Sequence, residues 1–173
     1  MRQRYGQNGF GQGVLLARRL IESGVVATEV VLDGWDTHRD NFNTTRDLCR
    51  ILDPAFSTLL DDLERRDLFE RTLVVCIGEF GRTPAIKPGD GRDHWPSNYC
   101  AVVAGGGARR GIAIGATDER GETIVDRPIA VADLFATLAR LLGIDGSREF
   151  TTPNGRPVKL VDPVGVPLPE LLG

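Results

Sequence analysis

The chain of 173 residues has only two histidines, and each lies in a polar cluster near an apolar, β-branched run. His38 belongs to Asp33-Gly34-Trp35-Asp36-Thr37-His38-Arg39-Asp40-Asn41, directly after Val30-Val31-Leu32. His94 belongs to Gly91-Arg92-Asp93-His94-Trp95-Pro96. Between them, Gly78-Glu79-Phe80-Gly81-Arg82-Thr83-Pro84 follows a second such run, residues 72–77. Histidine, aspartate and glutamate are the donors that Zn²⁺, Mn²⁺ or Fe²⁺ would use. Three such loops at one edge of a sheet would converge on a single metal site.

Each cluster also has an ordinary reading. Asp36 and His38 are two residues apart, so in an extended loop both point the same way and can share an ion. The alternative is an Asx-turn carrying a surface histidine. Glu79, between glycines at a strand end, reads as a metal ligand or general base, and Arg82 as a cation for an oxyanion or phosphoryl group. A Glu79–Arg82 ion pair that tidies a turn is the alternative. Asp93 reads as a ligand or as the orienting partner of His94, with Trp95 shielding the site, against a rigid surface loop. Gly105-Gly106-Gly107 lacks the spacing of a phosphate loop and reads as a tight turn. No Gly-x-Ser-x-Gly elbow is present, so a serine triad fits poorly.

The elements that must position these groups follow from periodicity. Val14, Leu16, Ala17, Leu20 and Ile21 predict a helix over residues 10–23, closed by Gly24. Residues 27–32 read as a buried strand. Leu48, Leu52, Phe56, Leu59, Leu60 and Leu63 form a stripe that predicts a long helix over 44–66, kinked or restarted at Pro54. Strands are expected over 72–77 and 99–104, and a hairpin near 112–125 with residues 118–121 as its turn. The last helix spans 131–142, capped by Gly143. Strands alternating with helices predict an α/β domain with a mostly parallel sheet flanked by helices. Ligands would then bind beyond the carboxyl ends of its strands.

Composition sets the outer limits. The chain is 41% hydrophobic and 26% charged with a formal charge of -3, which gives no reason to expect nucleic acid as a partner. No apolar run reaches the length of a membrane span, and no signal peptide opens the chain. Cys49, Cys76 and Cys100 form no CxxC pair, and Cys76 and Cys100 in apolar runs behave as small hydrophobes.

The motifs taken together resemble those of the DUF1501 family, bacterial proteins related to sulfatases and the alkaline phosphatase superfamily. The matching segments are residues 11–25, Gly34-Trp35-Asp36-Thr37-His38, residues 78–84, residues 91–96, Ala104-Gly105-Gly106-Gly107, Gly115-Ala116-Thr117-Asp118 and Leu141-Leu142-Gly143-Ile144. The resemblance spans nearly the whole chain. It implies an alkaline phosphatase/sulfatase-like fold, a site transferring a phosphoryl or sulfuryl group, and export from the cytoplasm. Two departures stand out. Phe80 follows Glu79 where such hydrolases often carry a histidine, and the N-terminal half that supplies nucleophile and bridging acid in that superfamily has no counterpart here.

Combined, these readings assign residues 1–146 to the C-terminal part of an alkaline phosphatase-like domain and 147–173 to an extended Pro/Gly-rich tail packed on it. Asp36, His38, Glu79 and His94 are the expected ligands of a divalent metal, Zn²⁺ before Mn²⁺, Fe²⁺ or Ca²⁺. Glu79, Arg82 and Arg92 are the expected catalytic groups, with Asp93 as an orienting residue. The expected substrate is a phosphate or sulfate ester, on a small molecule or a polysaccharide. The alternative is a non-catalytic binding or assembly module holding at most one structural metal. A sheet edge left uncovered by absent strands would offer a route to self-association.

Overall fold

A computed structural model describes residues 2–173. In chain order its elements are α1 (Gly9–Glu22), α2 (Asn41–Arg65), a 3-10 turn (Phe69–Arg71), β1 (Val74–Ile77), β2 (Gly81–Arg82), β3 (His94–Trp95), β4 (Ala101–Ala104), β5 (Ala116–Thr117), β6 (Ile124–Asp126), α3 (Val131–Leu141), β7 (Glu149–Thr151) and β8 (Pro157–Lys159). They divide between two units: residues 1–72 with 79–100, and residues 73–78 with 101–173.

In the first unit α1 and α2 pack through their apolar stripes. Tyr5, Val14, Leu15 and Ala55 form the buried cluster, with Phe10, Val30 and Leu59 against it. Asn8 caps α1 by accepting from the Gly11 amide at 2.8 Å, the side-chain cap that favours asparagine there. A polar network, buried at Tyr5, Arg18 and Asp62 and open to solvent at Glu22, runs along the helix pair. The Tyr5 hydroxyl donates to Asp62 at 2.9 Å, Arg18 pairs with Glu22, and Arg66 reaches Glu22 at 2.8 Å. The long helix runs through Pro54, and the Ser57 hydroxyl donates to the Asp53 carbonyl at 2.7 Å.

In the second unit β1 and β4 pair antiparallel, Val74 opposite Ala104 and Ile77 opposite Ala101. Gly105, Gly106 and Gly107 all take positive φ (70°, 57° and 80°), a tight turn open chiefly to glycine. Residues 166–172 cross this unit as a staple. The Val166 amide donates to Asp133 of α3 at 2.8 Å, and the Leu168 amide to the Thr137 hydroxyl at 2.9 Å. Leu168 and Leu171 are buried with Ala108, and Arg127 pairs with Glu170 at 2.6 Å. The tail also folds β7 and β8 into a hairpin.

The expected mostly parallel sheet flanked by helices, alkaline phosphatase/sulfatase-like, is not what forms. Among the described residues every sheet is two-stranded and antiparallel. Two physical reasons account for the difference. A parallel β1–β4 pair needs a crossover, usually helical, and residues 78–100 supply a hairpin, β2–β3, with no helix. The apolar run 27–32 joins no ladder. It contributes to burial through Val30, which packs on α1 where Gly13 leaves room, while Val31 stays 64% exposed. Among the described residues no helix is long and apolar enough to cross a membrane.

Candidate metal centre

The site is built in the first unit from two segments that are zipped together. The sequence Lys87-Pro88-Gly89-Asp90-Gly91 makes a tight turn, with the Lys87 amide donating to the Gly91 carbonyl at 3.1 Å and Gly89 at φ +88°. Its carbonyls serve the start of α2. The Asp40 amide donates to Gly89 at 3.0 Å and the Asn41 amide to Asp90 at 2.9 Å, partners for amides that a helix start leaves free. The Arg92 amide then donates to the Thr37 carbonyl at 3.0 Å. Thr37 turns inward, 4% exposed, with its hydroxyl on Asn41 at 2.6 Å. Its two neighbours, Asp36 and His38, therefore face out together.

The second segment is the β2–β3 hairpin, whose register sets Arg82 opposite His94. Gly81 is required there because the Asn98 carbonyl comes within 2.4 Å of where a Cβ would sit. Thr83 clamps the far side: its amide donates to the Asp93 carbonyl at 2.9 Å, and its hydroxyl accepts from the Asp93 amide at 3.0 Å. Phe80 lies 4.6 Å from the His94 ring, centroid to centroid.

These constraints bring Asp36 Oδ1, His38 Nε2 and His94 Nε2 to one point. Asp36 to His38 is 3.0 Å, Asp36 to His94 is 3.1 Å, and the two ring nitrogens are 3.2 Å apart. An ion about 2.1 Å from each donor spans neighbouring ligands by about 3.0 Å in octahedral and about 3.4 Å in tetrahedral coordination. The three edges fall in that range. Two imidazoles and one carboxylate are a donor set for Zn²⁺ or Fe²⁺ rather than for an all-oxygen Ca²⁺ site. All three side chains are at least 42% exposed, so the cluster opens to solvent.

Charges around the triangle are distributed unevenly. Arg82 donates to Asp36 Oδ1 at 2.5 Å. That contact, followed by the one from His94, holds the Asp36 carboxyl below the usual carboxylate range. Asp93 is held low as well, first by Lys87 and then by His38. Asp93 Oδ1 lies 2.8 Å from His38 Nδ1, so the imidazole that it orients is His38, whereas the sequence reading paired it with His94. Lys87 contacts that same carboxylate oxygen and lies 3.3 Å from His38 Nδ1.

The other expected residues are placed differently. Glu79 is exposed and stands outside the group of described residues able to share an ion, which holds Asp36, His38 and His94. Arg82 pairs with Asp36 rather than with Glu79. Arg92 directs Nη1 to the Thr83 carbonyl at 3.0 Å, a clamp on the hairpin. Lys87 was not singled out by the sequence. The Pro88-Gly89 turn with Gly91 three residues on is the signal that could have found it, since that turn folds Lys87 back toward Asp93.

The family model described as a protein of unknown function, DUF1501, matches residues 1–172. The chain belongs to the DUF1501 family. Comparison with curated proteins and with solved structures finds no match. Within this DUF1501 chain both segments that carry Asp36, His38 and His94 lie inside the matched region.

Proposed function

We propose that the chain binds one divalent transition metal, Zn²⁺ first among the candidates, through Asp36, His38 and His94, and that this centre serves hydrolysis of a phosphate or sulfate ester. The observation that carries the reading is the ligand triangle, whose edges of 3.0, 3.1 and 3.2 Å suit a shared ion. The substrate class and the kinship with sulfatases and phosphatases rest on likeness of motifs, and a shared site chemistry does not require a shared fold.

A bound divalent ion would supply Lewis-acid polarisation of an ester oxygen. The protein's own groups would bind and orient. Arg82 uses one N–H on Asp36 and has four more donors in its planar fork, enough to meet the oxygens of an anionic ester. Phe80 limits the tilt of the His94 ring. Asp93 fixes the orientation of His38, as carboxylates commonly do for ligating imidazoles.

One observation favours a second reading, a binding or assembly module whose metal is structural. The ligands are open to water, with Asp36 64% exposed, whereas hydrolytic centres gain from a dry, shaped cavity.

Metal content by mass spectrometry tests the site, on protein purified without chelator or histidine tag, wild type beside His38→Ala/His94→Ala. One equivalent of Zn²⁺ in the wild type and none in the double variant is the expected result. Metal-free, folded wild type would remove the reading. Hydrolysis of p-nitrophenyl phosphate or sulfate by the loaded protein, lost with Arg82→Ala, separates the enzyme from the module.

A further inference from the structure

We propose that the second unit carries a binding cleft for a small organic anion with an apolar body, its charged head held by Arg140 and Lys159. Every residue of the cleft lies in that unit. The inference therefore goes beyond the metal reading and does not depend on it.

The cleft measures about 430 Å³, inside the usual range of small-molecule sites, roughly 300–1,000 Å³. Three segments form it: the second half of α3, the turn 144–147, and the chain from the end of β8 to Pro167. Hydrogen bonds fix these walls to one another. The Ile144 amide donates to the Ala139 carbonyl at 2.9 Å, and the Val161 amide to the Gly146 carbonyl at 3.2 Å. The Val166 and Leu168 amides tie the third wall to α3. Gly165 lets that wall approach, since a Cβ there would come within 2.4 Å of the Ala132 carbonyl oxygen. Walls already fixed in place lose little further freedom when a ligand enters.

The lining decides the chemistry. Ala136, Ala139, Ile144 and Val161 give it an apolar surface. Arg140 on α3 and Lys159 on β8 bring cations from two separate walls. Among the described residues neither cation has an ion pair or a side-chain hydrogen bond. Two carboxylates also line the cleft, but each is engaged in a turn of its own wall. Asp145 Oδ1 accepts from the Ser147 amide at 3.0 Å and hydroxyl at 2.7 Å, and Asp162 Oδ1 from the Val164 amide at 3.1 Å. An anionic head thus finds two unengaged partners, whereas a cation would meet carboxylates that are already bonded. The end of α3 offers little opposition, because its Ala139 and Arg140 carbonyls accept from the Ile144 and Gly143 amides. A bare inorganic anion would leave the apolar surface uncovered, so the ligand includes an apolar body.

The test uses three probes that share one apolar body: naphthalene-2-sulfonate, 2-naphthylmethanol and 2-naphthylmethylamine. Each is titrated into ¹⁵N-labelled protein while the amide shifts of Ser147, Val161 and Gly165 are followed. The sulfonate should bind about ten-fold more tightly than the alcohol, as charge-assisted contacts predict, and the amine should bind most weakly. Arg140→Gln and Lys159→Gln should each weaken the sulfonate about ten-fold and leave the alcohol unchanged. Concentrated salt should weaken the sulfonate alone, because both cations are exposed. Asp162→Asn should not weaken it. Arg140→Lys and Lys159→Arg, which keep the charge, serve as controls for loss of packing and should retain binding. Sulfonate and alcohol binding alike, tighter binding of the amine, or unchanged sulfonate affinity in either glutamine variant would overturn the proposal. So would the lack of any saturable shift at the three amides.

Discussion

Gly91 lies against the backbone of His38 so closely that a Cβ on Gly91 would sit 1.9 Å from the His38 carbonyl oxygen. No side chain fits there, so the ligand loop and the turn carrying Lys87 can approach each other only at a glycine. Gly91→Ala is expected to push the loops apart and weaken Zn²⁺ binding by about ten-fold or more, comparable to losing an outer partner of a ligand. Competition titration with a chelator reads the change. Wild-type affinity in a folded Gly91→Ala protein would mean that the zipped loops do not set the ligand geometry.

Tyr5 is fully buried and donates to Asp62. Tyr5→Phe removes a hydrogen bond and leaves a buried carboxylate with one partner fewer, at a cost of about 1–3 kcal/mol. Urea denaturation measures it. Burial, reinforced by Asp62, pushes the Tyr5 hydroxyl up to about 12. A raised folded pKa contributes stability that is complete below the unfolded value of about 10 and lost as pH climbs through the folded value. Between those limits the wild-type melting temperature should fall more steeply than that of Tyr5→Phe, and parallel curves would contradict the assignment.

Much of the helical framework was legible in the sequence because helix periodicity is local. The stripes of Val14 to Ile21 and Leu48 to Leu63 led to α1 and α2 within a few residues, and the run 131–142 to α3. The sheet was less legible. Residues 27–32 and 72–77 look alike as β-branched runs, yet only the second has a ladder partner, and which run finds a partner depends on residues far away in the chain. At the site, donor types pointed to Asp36, His38, Glu79 and His94 as one group, from which Glu79 stands apart, and side-chain partnerships could not be assigned from type alone. Glu79 and Arg82 look paired across three residues, while the register of β2 on β3 turns Arg82 to Asp36.

Glu170 is drawn down to about 2 by Arg127. A depressed carboxylate contributes stability present above its unfolded value of about 4.3 and lost as pH falls through the folded one. Glu170→Gln should therefore be less stable than wild type at neutral pH, with the difference shrinking as pH falls from about 4.3 toward 2. Thermal melts across that window check it, and a gap that stays constant would rule out the pairing as its source.

Leu168 is 2% exposed and sits in the staple, within the tail expected to pack on the domain. Leu168→Ala is expected to cost about 2–5 kcal/mol. A surface tail would give a change within about 0.5 kcal/mol, so chemical denaturation distinguishes the two cases directly.

His38 and His94, whose ring nitrogens nearly touch, are 56 residues apart in the chain. An ion held by both would act as a cross-link, drawing that stretch into a closed ring even when the helices melt. Chain-entropy arguments for a ring of this size give on the order of 4 kcal/mol of restraint on the unfolded ensemble. The ion would thus determine how far the chain can open as well as what the open face can bind.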